Sequence, residues 1–252
     1  MPMELDGAVA LVTGGTGGLG GRICHALAQA GCHVVVAYHR DQAAARELAA
    51  ELEGYRGRRA LPVATDLSTG DGIPGLLETI ETTFGGLDIL VNNAAANRWV
   101  AYPDLDALTP ELWEELLGRN LTGPFLLSRA AVPLLRRGGR GRIVNISSVA
   151  GLAPTGSSIA YAVSKAGLNH LTRCLAVALA PDILVNAVAP GLMEGTRMTA
   201  ALDPAYVERS KAGAALQRAT SRDDVADQVV LFCHTDSITG QTLVIDAGRF
   251  FH

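Results

Sequence analysis

The sequence predicts an α/β fold in which one doubly wound domain carries a seven-stranded parallel sheet with helices on both faces. Three observations carry this expectation. Short β-rich apolar runs recur along the chain, each followed by a helical pattern, and such alternation gives a parallel sheet. Runs such as Val34-Val35-Val36 and Ile89-Leu90-Val91 show no polar alternation, as expected of strands covered on both faces. No linker, low-complexity tract or internal repeat interrupts residues 1–252, a length that doubly wound folds commonly reach as a single unit.

The first strand is expected at Ala8 to Thr13, followed by a helix from Gly18 to Ala30. A strand at His33 to Tyr38 precedes a helix from Gln42 to Leu52, and a strand at Ala60 to Thr65 precedes one from Ile73 to Phe84. The fourth strand, Asp88 to Asn92, leads to a long helical pattern from Pro110 to Arg137 with a break near Gly118. The fifth, Arg142 to Ser147, is followed by a helix from Ser157 to Leu179. After the sixth, Ile183 to Val188, come helices at Pro204 to Leu216 and Asp223 to Cys233, and Thr242 to Asp246 closes the sheet.

Composition excludes several classes of function. Apolar residues make up 48% and charged ones 18%, the reverse of a disordered chain. A net charge of −4 leaves no basic excess to cover phosphate backbones, so no nucleic-acid partner is expected. No apolar run approaches the roughly 18 to 20 residues that span a bilayer, and Asp182 and Asn186 interrupt the stretch from Leu175 to Leu192, so no membrane association is expected. Pro2, Glu4 and Asp6 do not resemble a signal peptide, and the expected location is the cytoplasm. Cys24, Cys32, Cys174 and Cys233 sit in apolar contexts without CxxC spacing, as reduced packing thiols do, and no metal site is expected.

The chemistry concentrates at strand ends. Thr13-Gly14-Gly15-Thr16-Gly17-Gly18-Leu19-Gly20-Gly21 joins the first strand to a helix. Glycines there permit a tight turn and let backbone N–H groups approach a pyrophosphate, whose charge the helix N-terminus stabilises. The second strand ends in Ala37-Tyr38-His39-Arg40, without the carboxylate that binds a ribose 2′-OH; Arg40 can pair with a 2′-phosphate, so NADP(H) is favoured over NAD(H). Tyr161 and Lys165 lie four apart on a helical segment, on one face, where an ammonium would lower the phenol's pKa and create a general acid/base pair. With two lysines against nineteen arginines, retention of Lys165 suggests a compact ammonium with its own task. Ser148, at the end of the fifth strand, can donate to a substrate carbonyl, although Ser147 and Ser148 equally suit a turn.

These pieces together resemble the short-chain dehydrogenase/reductase family over essentially the whole chain. The matching motifs are Thr13-Gly14-xxx-Gly18-x-Gly20, Thr65-Asp66-Leu67, Asn92-Asn93-Ala94-Ala95, Asn120, Gly141 to Ser148, Tyr161-xxx-Lys165, Asn186 to Gly191 and Ile238 to Gln241 before Asp246. The resemblance implies a Rossmann fold with Gly14, Thr16, Gly18, Leu19, Gly20, His39 and Arg40 along the cofactor. It places Asp66 and Leu67 beside the adenine, Asn93, Ala94 and Ala95 in the cleft, and Pro190, Gly191, Met193 and Thr196 around the nicotinamide amide. By the same resemblance Tyr161 is the acid in reduction, Lys165 holds the ribose hydroxyls, Ser148 orients the carbonyl and Asn120 holds a relay water. A homotetramer, a dimer of dimers, is implied through the helices at 120–137 and 157–179.

Within the family the sequence is similar to 3-oxoacyl-ACP reductases and to ketoreductases of secondary metabolism. The implied reaction is hydride transfer from NADPH to a 3-oxoacyl or polyketide-like ketone, giving a secondary alcohol. NAD(P)+-dependent oxidation of an alcohol is the alternative, and a catalytically inactive nucleotide-sensing subunit a more distant one. Four positions depart from the pattern: Ala95 replaces a glycine, Gly17 stands where many NADP users carry a basic residue, Pro181-Asp182 replaces a basic residue before the sixth strand, and Asp246-Ala247-Gly248 replaces Asp-Gly-Gly. Asp182 would repel an acidic carrier protein or CoA, whereas Arg136, Arg137, Arg140 and Arg142 offer a basic cluster. Substrate choice is expected in Asn97 to Pro103, with Arg98, Trp99 and Tyr102. A lid at 192–216, with Met193, Met198, Leu202 and Tyr206, is expected to complete it.

Overall fold

Neighbouring residues of each strand go to opposite cores, which explains the absence of polar alternation. The computed structural model describes residues 3–55, 57–67, 69–200 and 202–251. Among these, β1 (Val9–Thr13), β2 (His33–Tyr38), β3 (Ala60–Ala64), β4 (Ile89–Asn92), β5 (Gly141–Ile146), β6 (Ile183–Pro190) and β7 (Thr242–Ile245) form one parallel sheet in the order β3-β2-β1-β4-β5-β6-β7. Ala10, Val12, Val34, Val36, Ile89 and Val91 pack on one side with α1 (Gly18–Gln29), α2 (Gln42–Glu53) and α8 (Arg222–His234). Val9, Leu11, Val35, Leu90 and Ile143 pack on the other with α3 (Ile73–Phe84), α5 (Gly123–Arg137) and α6 (Ile159–Leu179). Burying each such aliphatic side chain contributes roughly 1.5–3 kcal/mol, so both faces stabilise the sheet.

The expected Rossmann-type architecture is therefore observed, with local differences that have physical causes. The helical pattern at 110–137 is two helices, α4 (Pro110–Leu117) and α5, joined by a π-helical turn at Gly118–Thr122 where the break was expected. Helix α6 starts at Ile159 because Ser158 is its cap, its side chain accepting from the Tyr161 amide. Strand β6 runs two residues past Val188, since Ala189 and Pro190 still pair with Val244 and Ile245. Helix α7 (Pro204–Ala212) stops four residues short of Leu216; it has no buried residue to support further turns.

Two sequence expectations are corrected. The four arginines do not form an open basic cluster. Arg136 pairs with Asp182 at 3.1 Å and Arg137 with Glu81 at 2.6 Å. Arg142 is buried in β5, where it donates to the Cys233 carbonyl and pairs with Asp236 at 2.6 Å, its charge compensated internally. The packing role expected of four thiols holds for Cys24, Cys32 and Cys233, while Cys174 is exposed on α6. Burial pushes the Cys32 thiol up to about 12, which keeps it protonated and unreactive.

Candidate active site

Strand order reverses between β1 and β4, and in an open parallel sheet the ligand crevice opens at that point, beyond the carboxyl ends of the strands. A cleft of about 830 Å³ lies there. All residues expected along the cofactor line it: Gly14, Thr16, Gly18, Leu19, Gly20, His39, Arg40, Asp66, Leu67, Asn93, Ala94, Ala95, Tyr161, Lys165, Pro190, Gly191, Met193 and Thr196.

The glycine loop is fixed from both sides. Gly14 adopts φ +62°, and a Cβ there would stand 3.0 Å from the Ala94 Cα, so both conformation and contact favour glycine. Thr13 Oγ1 accepts from the Asn93 and Ala94 amides at 2.9 Å, and Asn93 Nδ2 donates to the Thr13 and Gly14 carbonyls. Asn93 thus braces the loop rather than offering its amide to a ligand. A Cβ on Gly18 would fall 2.6 Å from the Gly195 carbonyl, so the segment after β6 approaches the loop as closely as glycine allows. Helix α1 starts behind Gly17 with no side-chain cap, whereas α2, α4, α6, α7 and α8 each have one. Its first N–H groups face the cleft without a protein acceptor from a cap, the donor arrangement a pyrophosphate requires.

At the end of β2, Arg40 is exposed, His39 pairs with Asp66 at 3.3 Å, and Asp41 Oδ1 caps α2 by accepting from the Ala44 amide. The donor set and the cleft's size fit a dinucleotide: uncapped α1 amides would hold the pyrophosphate, and Arg40 and Lys165 would supply cations along the same cleft.

Ser148, Tyr161 and Lys165 come together at the other end of the same cleft. Ser148 lies two residues beyond β5, where its Oγ accepts from the Ala150 amide and caps a short 3-10 turn. The turn role is therefore observed, and the same side chain lines the cleft. Lys165 is almost wholly buried, its Nζ donating to the Ile146 carbonyl at 2.8 Å and standing 5.9 Å from the Tyr161 ring centroid. Burial pushes its pKa down to about 8. Burial also pushes the Tyr161 phenol up, an effect only partly offset by its hydrogen bond with Ser148. The downward shift expected from the neighbouring ammonium is not observed; with Nζ 5.9 Å from the ring centroid, desolvation sets the direction and the Ser148 hydrogen bond is the force opposing it.

Asn120 stands apart. It is fully buried in the π-helical turn and does not line the cleft; its Nδ2 donates to the Ala96 carbonyl and Ser164 Oγ, and its Oδ1 accepts from the Ala96 amide. Both amide hydrogens are spent, so this side chain positions the 95–97 segment.

Arg197, Arg249 and Phe250 line the cleft although no sequence signal singles them out. Asp246 accepts from the Gly248 and Phe250 amides and folds Arg249 and Phe250 into the cleft wall. Arg197 Nη2 reaches Thr16 Oγ1 and carbonyl at 3.3 Å. Of the positions expected to govern substrate choice, Trp99 and Tyr206 meet edge to face at 5.7 Å in the cleft wall, while Tyr102, outside the cleft lining, donates to the Thr155 carbonyl. No local spacing signals these contacts, because they join segments 53 to 181 residues apart or depend on a chain turn. No metal-binding cluster occurs among the described residues, and no helix among them is long and apolar enough to cross a membrane.

The family model for short chain dehydrogenases matches residues 8–206. A protein named as a ketoacyl reductase of the granaticin polyketide synthase of Streptomyces violaceoruber is 40% identical, the match covering 96% of each chain. The 3-oxoacyl-acyl-carrier-protein reductase FabG of Aquifex aeolicus is 38% identical over 99% of this chain and 100% of its own. Among solved structures, a short chain dehydrogenase of Burkholderia cenocepacia in complex with NADP superposes with a TM-score of 0.89, at 35% identity over 98% of this chain and 99% of the other. The RhlG/NADP complex of Pseudomonas aeruginosa also gives 0.89, at 34% identity over 98% and 97%. The chain is an oxidoreductase belonging to the short-chain dehydrogenase/reductase family.

Proposed function

We propose that the protein is an NADPH-dependent ketoreductase that converts a ketone of the 3-oxoacyl or polyketide type to a secondary alcohol. The observation that carries this is the convergence of Ser148, Tyr161 and Lys165 on a cleft whose other end has a glycine loop and Arg40 but no carboxylate terminating β2. The names of the ketoacyl reductase and FabG relatives, and the NADP in two structural neighbours, support it. Bound NADPH would supply the hydride.

The chain's own contribution is orientation and a proton. Ser148 Oγ donates to the substrate carbonyl oxygen and sets it beside the phenol. Because burial keeps Tyr161 protonated at neutral pH, its O–H delivers the proton to the oxygen as the carbonyl is reduced. Lys165, anchored on the Ile146 carbonyl, places an ammonium for the ribose hydroxyls and stabilises the phenolate left behind. In the oxidative direction the same phenol would have to start ionised, which its raised pKa opposes near neutrality.

Residues 192–216 act as the substrate lid. Asn97 Nδ2 reaches the Met198 carbonyl at 3.5 Å and Trp99 packs on Tyr206, so an aromatic and methionine-lined wall faces the acyl chain. With Arg136 and Arg137 already ion-paired, support for a carrier-bound substrate rests on the relatives' names rather than on a basic face. Exposed Phe125 on α5 and Val163 and Val177 on α6 support association through those helices into a homotetramer. The test is a panel of ketones, including 3-oxoacyl thioesters, with NADPH and NADH. Turnover with a higher kcat/KM for NADPH is expected; a preference for NADH contradicts the cofactor assignment, and tight binding without turnover on every ketone contradicts the reductase.

A further inference from the structure

In this fold the adenosine ribose 2′ position lies at the end of β2, where a 2′-phosphate would meet Arg40, His39 and Asp41. That corner is poorly prepared for a dianion from the β2 side alone. His39 is engaged with Asp66, and Asp41, whose Oδ1 is committed to capping α2, directs its other carboxylate oxygen outward. The outward oxygen, Oδ2, is 3.9 Å from Arg197 Nη2, and the same nitrogen reaches Thr16 Oγ1 and carbonyl at 3.3 Å. Arg197 comes from the segment after β6, whose base is held to the glycine loop: Arg222 Nη1 donates to the Gly195 carbonyl at 3.0 Å and more weakly to that of Gly18. An arm from the lid thus crosses to the adenosine side, where the glycine loop itself has Gly17 and no cation.

All three Arg197 contacts are long, and its side chain is 70% exposed. They neutralise Asp41 without engaging the guanidinium fork tightly, and a phosphate would offer that fork a far better partner. We propose that Arg197 is a 2′-phosphate ligand supplied by the lid: it leaves Thr16 and Asp41 for the phosphate oxygens, so the group that distinguishes NADP from NAD also holds residues 193–199 over the cleft. The inference rests on the NADP reading above and adds to it a second cation and a link between cofactor identity and lid position.

The test uses the nicotinamide-free ligands 2′-phospho-ADP-ribose and ADP-ribose, with affinity measured by calorimetry on the whole protein and exchange of the 193–199 amides followed by hydrogen–deuterium exchange. In Arg197→Met, affinity for 2′-phospho-ADP-ribose should fall roughly five- to tenfold while that for ADP-ribose changes less than about twofold. Arg197→Lys should recover part of the loss, since it keeps the charge but not the fork. In the unmodified protein the phosphorylated ligand should protect 193–199 more than ADP-ribose does, and the methionine variant should lose that difference. If Arg197→Met retains the full discrimination and the extra protection, the inference is overturned and Arg40 suffices. If the unmodified protein does not discriminate between the two ligands, the NADP reading fails first and this inference with it.

Discussion

The two rims of the cleft are built on opposite principles. On the rim formed by β4, β5 and α6, and in the layer behind it, the polar side chains are buried and bonded within the protein: Lys165 to the Ile146 carbonyl and, behind it, Asn120 to Ala96 and Ser164 and Asn92 to Asn145 and Ser128. On the rim formed by 192–216 and the C-terminal turn, charges pair with one another near the surface, as Lys211 does with Glu194 at 2.8 Å and Glu208 at 3.0 Å, or as Arg197 does more distantly with Asp41 at 3.9 Å. Chemistry needs groups fixed to within fractions of an ångström, whereas substrate entry and release need a wall that moves. The difference teaches that buried, internally satisfied polar groups are concentrated on one rim and surface charges on the other, the division that the proposed catalytic and lid roles require.

Substitutions can break that contrast and, Tyr161 aside, the largest effect is expected at Lys165. Lys165→Met should reduce kcat/KM by roughly a hundredfold or more, measured by steady-state NADPH consumption. The unmodified enzyme should lose kcat/KM as pH rises through about 8, where the buried ammonium deprotonates. Stability should move the opposite way: a lysine depressed from 10.5 to about 8 leaves the unfolded chain binding more protons in that window, so folding strengthens as pH rises from about 8 to 10.5. Chemical denaturation across that range should show the rise, and its contribution from Lys165 should vanish in the methionine variant.

Asn120→Ala should cost about 2–3 kcal/mol in urea unfolding, because it strands the amide and carbonyl of buried backbone at Ala96 as well as Ser164. A loss below 0.5 kcal/mol would mean that the fixed rim tolerates missing bonds as the lid does. Ala247→Gly should stabilise by roughly 1 kcal/mol, since Ala247 sits at φ +57° where a Cβ is disfavoured. An unchanged midpoint would remove the strain argument. Smallest of all, Glu194→Gln should change stability by less than about 0.5 kcal/mol, because its pair with Lys211 is half-exposed.

The sequence was most legible where a side chain or strand obeys a local rule. The sheet could be read because strands with both faces covered are apolar throughout, and the cofactor end because its glycines follow β1 directly. Tyr161 and Lys165 share a helix face, so spacing alone joined them. What stayed hidden depends on distance in the chain or on burial. The Thr13 and Asn93 clasp spans eighty residues, Arg197 reaches Thr16 across 181, and the raised phenol follows from desolvation that no local motif encodes. Arg142 shows the converse error: beside three other arginines it reads as surface charge, yet it lies in a central strand with Asp236 as its counter-ion. Ala247 announced itself as a departure from Asp-Gly-Gly, but its left-handed backbone is a property of the folded turn.

The most direct test of a reductase whose buried phenol supplies the proton is Tyr161→Phe, with NADPH binding and ketone turnover measured on the same preparation. The account predicts NADPH affinity within about twofold of the unmodified enzyme and turnover lower by roughly a thousandfold. Near-normal turnover in the phenylalanine variant would contradict it.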